Sequence, residues 1–376
     1  MQRRVTQIES IRVLAMAGIF FYHLWSVLPE GGSHNFLGPM LGDVLSQGYL
    51  GVVVFNAITG FVLTLPHAAP GAKPPLGLLD FFRRRFGRIM PQYYLSLALW
   101  SVVALVFGAM SLAALGSCVV EKLFFIQTFD PKRFFCLEPA LWWMGLLAQF
   151  YLTFPLLLRL FQKVGPGRAT GLCLGGCWGL WLVLSLWAKR SGTAALLDYM
   201  FYFNLPYRLP EFALGMAFAI VWKERAANPR PKDLASGMPV SWLLGFAGLT
   251  YFALPLSVLL KNALPMPFAH ILLTAACLGL AGLLFAWPAM ARLGAKPAIA
   301  AAAAASYSFY LLHQPLLGYG ADLLRGHLAP FTAMVLLCVV SLPVSYVLAR
   351  YQDRLVAAFQ ARGKAQPKAP SAPTAQ

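Results

Sequence analysis

Apolar residues gather in ten stretches along the chain, set apart by short segments rich in charge, proline and glycine. They are Ile11–Leu28, Gly48–Leu65, Tyr93–Leu112, Pro139–Leu158, Gly171–Ala188, Leu205–Trp222, Pro239–Leu260, Pro267–Met290, Ile299–Leu317 and Ala329–Leu348. Each is near the ~20 residues that a helix needs to cross the hydrocarbon core of a bilayer. No two-residue alternation runs through them, so the pattern predicts helices and excludes a spanning β-barrel. The sixth is the most polar, because it holds Arg208, Pro210 and Glu211. The expected fold is an all-α integral membrane protein of about ten transmembrane helices.

Composition agrees. The chain is 59% hydrophobic and only 11% charged, where a soluble domain is about a quarter charged. A net charge of +17 would suit nucleic acid in a soluble protein. Here the basic residues lie between spans, with no recognition helix and no aromatic–basic interleaving, so orientation and anionic lipid explain them and no nucleic acid is expected. With the N-terminus inside, the inner segments hold most of the 30 Lys and Arg residues. Dropping the sixth span would put the Lys223–Lys232 cluster and the basic tail outside, against the positive-inside rule. Both termini are therefore expected to be cytoplasmic.

Residues 1–350 read as one polytopic membrane domain, and residues 351–376 as a basic, Pro/Ala-rich cytoplasmic tail without fixed structure. No small-residue cleavage pattern follows the first stretch, so no cleavable signal is expected. Cys173, Cys177, Cys277 and Cys338 fall in apolar spans as small core residues. Cys118 and Cys136 flank a loop expected outside the cytoplasm, where a disulfide between them can form. No spacing resembles a zinc site, so no metal is expected.

The candidate chemistry begins in the first stretch, with Glu9, Arg12 and His23. At about 100° per residue, His23 returns to within about 20° of Arg12, and Glu9 lies near the same face. The plainer reading of Glu9 and Arg12 is an interfacial anchor pair. An imidazole inside a span more often lines a working cavity, and its pKa suits general-base work. His313 sits in the outer half of the ninth span, and Pro315 after it should bend the helix or free a carbonyl nearby. In FFRRRFGRIMPQYY, Arg83, Arg84, Arg85 and Arg88 precede the third span. Orientation needs only positive charge, whereas an arginine-only cluster also suits bidentate phosphate binding. Arg208 and Glu211, three apart, can pair, and Gln149 lies mid-span as a hydrogen-bonding group.

The pieces ESIRVLAMAGIFFYHLW, GVVVFNAITGFVL, FFRRRFGRIMPQYY, LWWMGLLAQFYLTFP, YRLPEFALGMAFA and SYSFYLLHQPLL occur in the order seen in the membrane-bound acyltransferase 3 family. The chain resembles that family from Arg4 to about Arg350, and the first, third and last pieces are the specific ones. The resemblance implies transfer of an acetyl or other short acyl group from acyl-CoA, a co-substrate rather than a bound cofactor. The acceptor it implies is a hydroxyl of a surface or secreted glycan or glycolipid, at the inner (plasma) membrane of a bacterium. The family's arginine and essential histidine fall on Arg12 and His23, and its basic motif on Arg84, Arg85 and Arg88. Glu9 stands where an aspartate is usual, Thr59 where a serine is, and Leu147 where a glutamate is. On this reading His23 is catalytic, Arg12, Arg84, Arg85 and Arg88 bind acetyl-CoA, and Arg208, Glu211, Gln149 and His313 serve the acceptor. A proton-coupled secondary transporter using His23, His313 and Glu211 is the alternative.

Overall fold

The computed structural model describes residues 5–27, 39–68, 77–192, 201–227 and 266–365, and the regular structure among them is all helical. Among the described residues six segments are long and apolar enough to cross a membrane: Thr6–Ser26, Val44–His67, Leu78–Val106, Pro139–Val164, Pro166–Ser191 and Pro330–Ala361. In this article α1 is Thr6–Ser26, α2 Pro39–Ser46, α3 Gly51–Thr64, α4 Leu78–Val106, α5 Leu112–Leu123, α6 Trp142–Val164 and α7 Pro166–Ser191. They are followed by α8 (Leu205–Ala227), α9 (Met266–Ala286), α10 (Pro288–Gly294), α11 (Pro297–Leu324) and α12 (Pro330–Ala365). Helices α8 and α11, of 23 and 28 residues, are long enough to cross but fall outside that apolar set. The expected span Pro239–Leu260 lies outside the described residues. The multi-pass helical architecture therefore stands, while the count of ten rests on the sequence.

Three boundaries differ from expectation for physical reasons. The third span was expected to begin at Tyr93, but α4 starts at Leu78. Charge ends a hydropathy window without ending a helix, so the arginine cluster is helical. The eighth expected span breaks at Pro288, where α9 and α10 meet at 76°. Proline lacks the N–H that would continue the ladder. The tail expected from residue 351 instead continues α12 to Ala365. Its side chains anchor it there: Ser308 Oγ donates to Asp353 at 2.6 Å and Gln352 Nε2 to Gln92 O.

Prolines inside helices create cross-links. Pro91 leaves Gly87 O without its helical donor, and Gln360 Nε2 of α12 donates to that oxygen. Pro315 likewise frees Leu311 O, which accepts from Ser96 Oγ at 2.8 Å and Trp100 Nε1 at 3.1 Å, both on α4. Small residues let backbones touch elsewhere. A Cβ on Gly48 would sit 2.9 Å from Tyr22 Cβ, and one on Gly51 would sit 2.8 Å from Ile19 Cγ1. A Cβ on Gly60 would meet the Phe212 backbone, and one on Gly215 the Ala57 backbone, so α3 and α8 cross closely. Val335, Val339 and Val347 of α12 are left exposed as lipid-facing surface. Cys118 and Cys136 form a disulfide, tying α5 to the segment before α6.

Candidate active site

Two cavities lie end to end beside α1. The inner one, about 160 Å³, is lined by Arg12, by Arg85 and Arg88 of α4, by Trp143, Leu147 and Tyr151 of α6, and by Tyr307. The outer one, about 320 Å³, is lined by Tyr22, His23 and Ser26, by Tyr49, Phe135 and Trp142, and by Arg208 and Gln314. Ile19, Val52 and Tyr310 line both, so the cavities abut at these three side chains, here called the neck.

Helical periodicity explains the arrangement. Ile19 and His23 each fall within about 20° of Arg12 around α1, one to either side, so one stripe of that helix runs along both cavities. His23 lies roughly 16 Å beyond Arg12 along the axis. The inner lining brings three guanidiniums together and holds no carboxylate among its described residues. Glu9 Oε2 lies 4.0 Å from Arg12 Nη1, one turn before it. Arg84 is exposed and does not line the cavity. Leu147 is buried in the inner wall, so that wall is apolar where the family resemblance called for an acid.

His23 packs against the Tyr22 ring at 5.1 Å and the His313 ring at 5.2 Å between centroids. His313 is fully buried and stands behind His23 rather than in the outer wall. Its Nδ1 lies 2.9 Å from Tyr310 O and 3.1 Å from Phe309 O. Carbonyl oxygens only accept, so Nδ1 carries the proton and Nε2 is left as an acceptor with no hydrogen-bond partner.

Arg208 reaches the outer cavity, but Glu211 does not. Glu211 Oε1 accepts from Arg208 Nη1 at 2.9 Å and Oε2 from Asn56 Nδ2 at 2.6 Å. Asn56 Oδ1 in turn accepts from Trp143 Nε1 at 2.8 Å. The Arg208 guanidinium also lies over the Tyr202 ring at 4.3 Å. Expected at the substrate, Glu211 is instead consumed in holding Arg208, because the close α3–α8 crossing brings Asn56 against it. Gln149 lines neither cavity. It bonds Asn204 Oδ1 at 2.7 Å and accepts from Leu205 N at 2.8 Å, fixing the entry to α8.

Sequence reasoning missed Asn56, Tyr310 and the aromatic wall of the outer cavity. Asn56 had a signal, being a polar amide inside the apolar run GVVVFNAITGFVL. Tyr310 had none, since a tyrosine in a span is ordinary. The hydroxyl of Tyr310 donates to Ala140 O, which fixes its ring at the neck.

A family model for an acyltransferase domain, acyltransferase 3, matches residues 5–350. The chain belongs to the acyltransferase 3 family. The matched region contains every residue of both cavities. Similar proteins include O-acetyltransferase OatA of Staphylococcus aureus, 25% identical over 263 residues that cover 67% of this chain and 39% of OatA. Acyltransferase MdmB of Streptomyces mycarofaciens is 25% identical over 339 residues, 86% of this chain and 82% of MdmB. The putative peptidoglycan O-acetyltransferase YrhL of Bacillus subtilis is 25% identical over 346 residues, 84% of this chain and 49% of YrhL. The chain thus spans well under half of OatA and about half of YrhL. No solved structure matches.

Proposed function

We propose that this chain is an integral-membrane O-acyltransferase that moves an acetyl or other short acyl group from acyl-CoA to a hydroxyl of a surface or secreted glycan. The observation that carries it is the neck, where a cavity of guanidiniums meets a cavity holding an imidazole. CoA phosphates suit Arg12, Arg85 and Arg88, because guanidinium forks bind phosphate oxygens bidentately. An acceptor sugar suits the outer cavity, whose aromatic walls offer apolar faces and whose Arg208, Gln314 and Ser26 offer hydrogen bonds. The similarity to YrhL, a putative peptidoglycan O-acetyltransferase, supports a glycan acceptor.

His23 takes the proton from the acceptor hydroxyl as the oxygen attacks the thioester carbonyl carbon. The new C–O bond forms, the C–S bond breaks, and the CoA thiolate recovers the proton from the imidazolium. His313, whose ring packs 5.2 Å from that of His23, backs that base rather than touching substrate. Arg208, held by Glu211, positions the acceptor.

The test uses purified protein, labelled acetyl-CoA and chitotriose as acceptor probe. CoA thiol is expected to be released, and His23→Ala to slow release about 10²–10⁴-fold. Intact turnover in that variant would overturn the mechanism. Uptake of a solute into liposomes without any need for CoA would instead favour the proton-coupled transporter. Against that reading, both oxygens of Glu211 are already engaged by Arg208 and Asn56.

A further inference from the structure

We infer that Ile19 and Val52 set the length of the acyl group this chain accepts, the neck acting as a filter that passes short acyl thioesters and rejects longer ones. The inference rests on the acyl-transfer reading above and concerns where the acyl tail has room to go.

The thioester carbonyl must come within about 3–3.5 Å of the attacking oxygen. That oxygen is itself within hydrogen-bond reach of His23. The donor's phosphates are held below, among the arginines. Ile19 is one helical turn before His23, about 6 Å lower along α1. A thioester reaching up from the inner cavity therefore puts its carbonyl at the level of Ile19, Val52 and Tyr310. The acyl tail then presses on those side chains or runs ahead into the outer cavity. That cavity is about 320 Å³ and must also hold the acceptor, so each added methylene competes with the acceptor for space.

The side chains of the neck are packed on helices already at contact distance. Ile19 is 1% exposed, and a Cβ on Gly51 would already press on its Cγ1 at 2.8 Å. The backbones carrying Ile19 and Val52 are thus in glycine contact and cannot close further or slide without collision. Tyr310, the third member, is fixed through its hydroxyl on Ala140 O, and Ala140 N donates to Gln314. One methylene in such an apolar fit is worth roughly 10–200-fold in discrimination.

The experiment compares the wild type with Val52→Ala and Ile19→Ala/Val52→Ala in nanodiscs. Turnover is read as thiol release from acetyl-, butanoyl- and hexanoyl-CoA with chitotriose. Binding is read separately with the unreactive thioethers S-ethyl-, S-butyl- and S-hexyl-CoA. In the wild type both readouts are expected to fall steeply with length. In the variants the hexanoyl-to-acetyl and hexyl-to-ethyl ratios are expected to rise about tenfold or more. Turnover with an unchanged length profile in the variants would overturn the filter and leave acyl transfer standing. Length-selective thioether binding without any turnover would overturn the transfer reading and leave the filter standing. Should the double variant fail to fold, Val52→Ala, at a half-buried position, carries the comparison alone.

Discussion

Arg85 and Arg88 line the inner cavity, while Arg84 leaves the same helix into the open. The three look alike in the sequence, and their roles separate only when α6 and α11 close over one side of α4. Arg85→Ala with Arg88→Ala is expected to raise KM for acetyl-CoA at least tenfold with membrane insertion unchanged. Arg84→Ala is expected to leave KM within about twofold, because Arg84, although exposed like Arg88, does not line the cavity. Equal effects of the two changes would reduce the cluster to an orienting charge. A second residue-scale outcome concerns Glu211→Gln. It leaves Arg208 charged and buried without its carboxylate, which typically costs about 3–5 kcal/mol. The thermal midpoint should fall, and KM for the acceptor should rise more than KM for acetyl-CoA. The stripe of Arg12, Ile19 and His23 was legible because a helix repeats at a fixed angle. The place of Glu211 was not, since three-residue spacing predicts the pair without saying which member faces a cavity.

At the scale of elements, the freed carbonyl expected near Pro315 was legible, because proline always lacks the donor. Its acceptor role toward Ser96 and Trp100 needed the packing of α4. The start of α4 was hidden by its own charges, and the break before α10 by the apolar run around it. The segment from α5 to α6 carries a pair that hydropathy could not reveal. Lys122 and Glu138 are fully buried there, and neither side chain finds a hydrogen-bond partner among the described residues. Burial pushes Lys122 down to about 8 from 10.5, against the pull of Glu138 and Glu121. Burial pushes the Glu138 carboxyl well above its ordinary value, against the pull of Lys122. Between about 8 and 10.5 the unfolded chain holds a proton on this lysine that the folded chain lacks, so stability rises with pH across that window. Glu138 works oppositely, its contribution present below the carboxylate range and lost as pH rises through its raised value. The thermal midpoint should therefore rise from pH 8 to 10, and Lys122→Met should abolish the rise. A wild-type midpoint that is flat across this range would contradict the buried lysine.

At the scale of the molecule, α1 begins and α12 ends at the arginine end of the bundle, since Gln360 of α12 bonds Gly87 between Arg85 and Arg88. The disulfide-bonded segment stands at the other end, where Phe135 and Pro139 border the outer cavity. The positive-inside rule predicts from the sequence that this arginine end faces the cytoplasm. It could not foretell that the two cavities abut, because that depends on contacts among α1, α3 and α11, far apart in the chain. Cysteines placed singly at Arg84 and Ala226 should label from one side of the membrane, and one at Lys132 from the other. Labelling of Ala226→Cys from the same side as Lys132→Cys would break the ten-span arrangement.

The cystine between Cys118 and Cys136 makes the ceiling of the outer cavity a product of its surroundings. Residue 135, a wall of that cavity, is the immediate neighbour of one bonded sulfur. Thiols pair stably only where reductants are scarce. A cell impaired in oxidative folding would therefore insert the same helices yet present a slack vestibule. On the proposed reading, transfer to the acceptor would then fade with the redox state around that loop, even while donor binding at the arginine end stayed untouched.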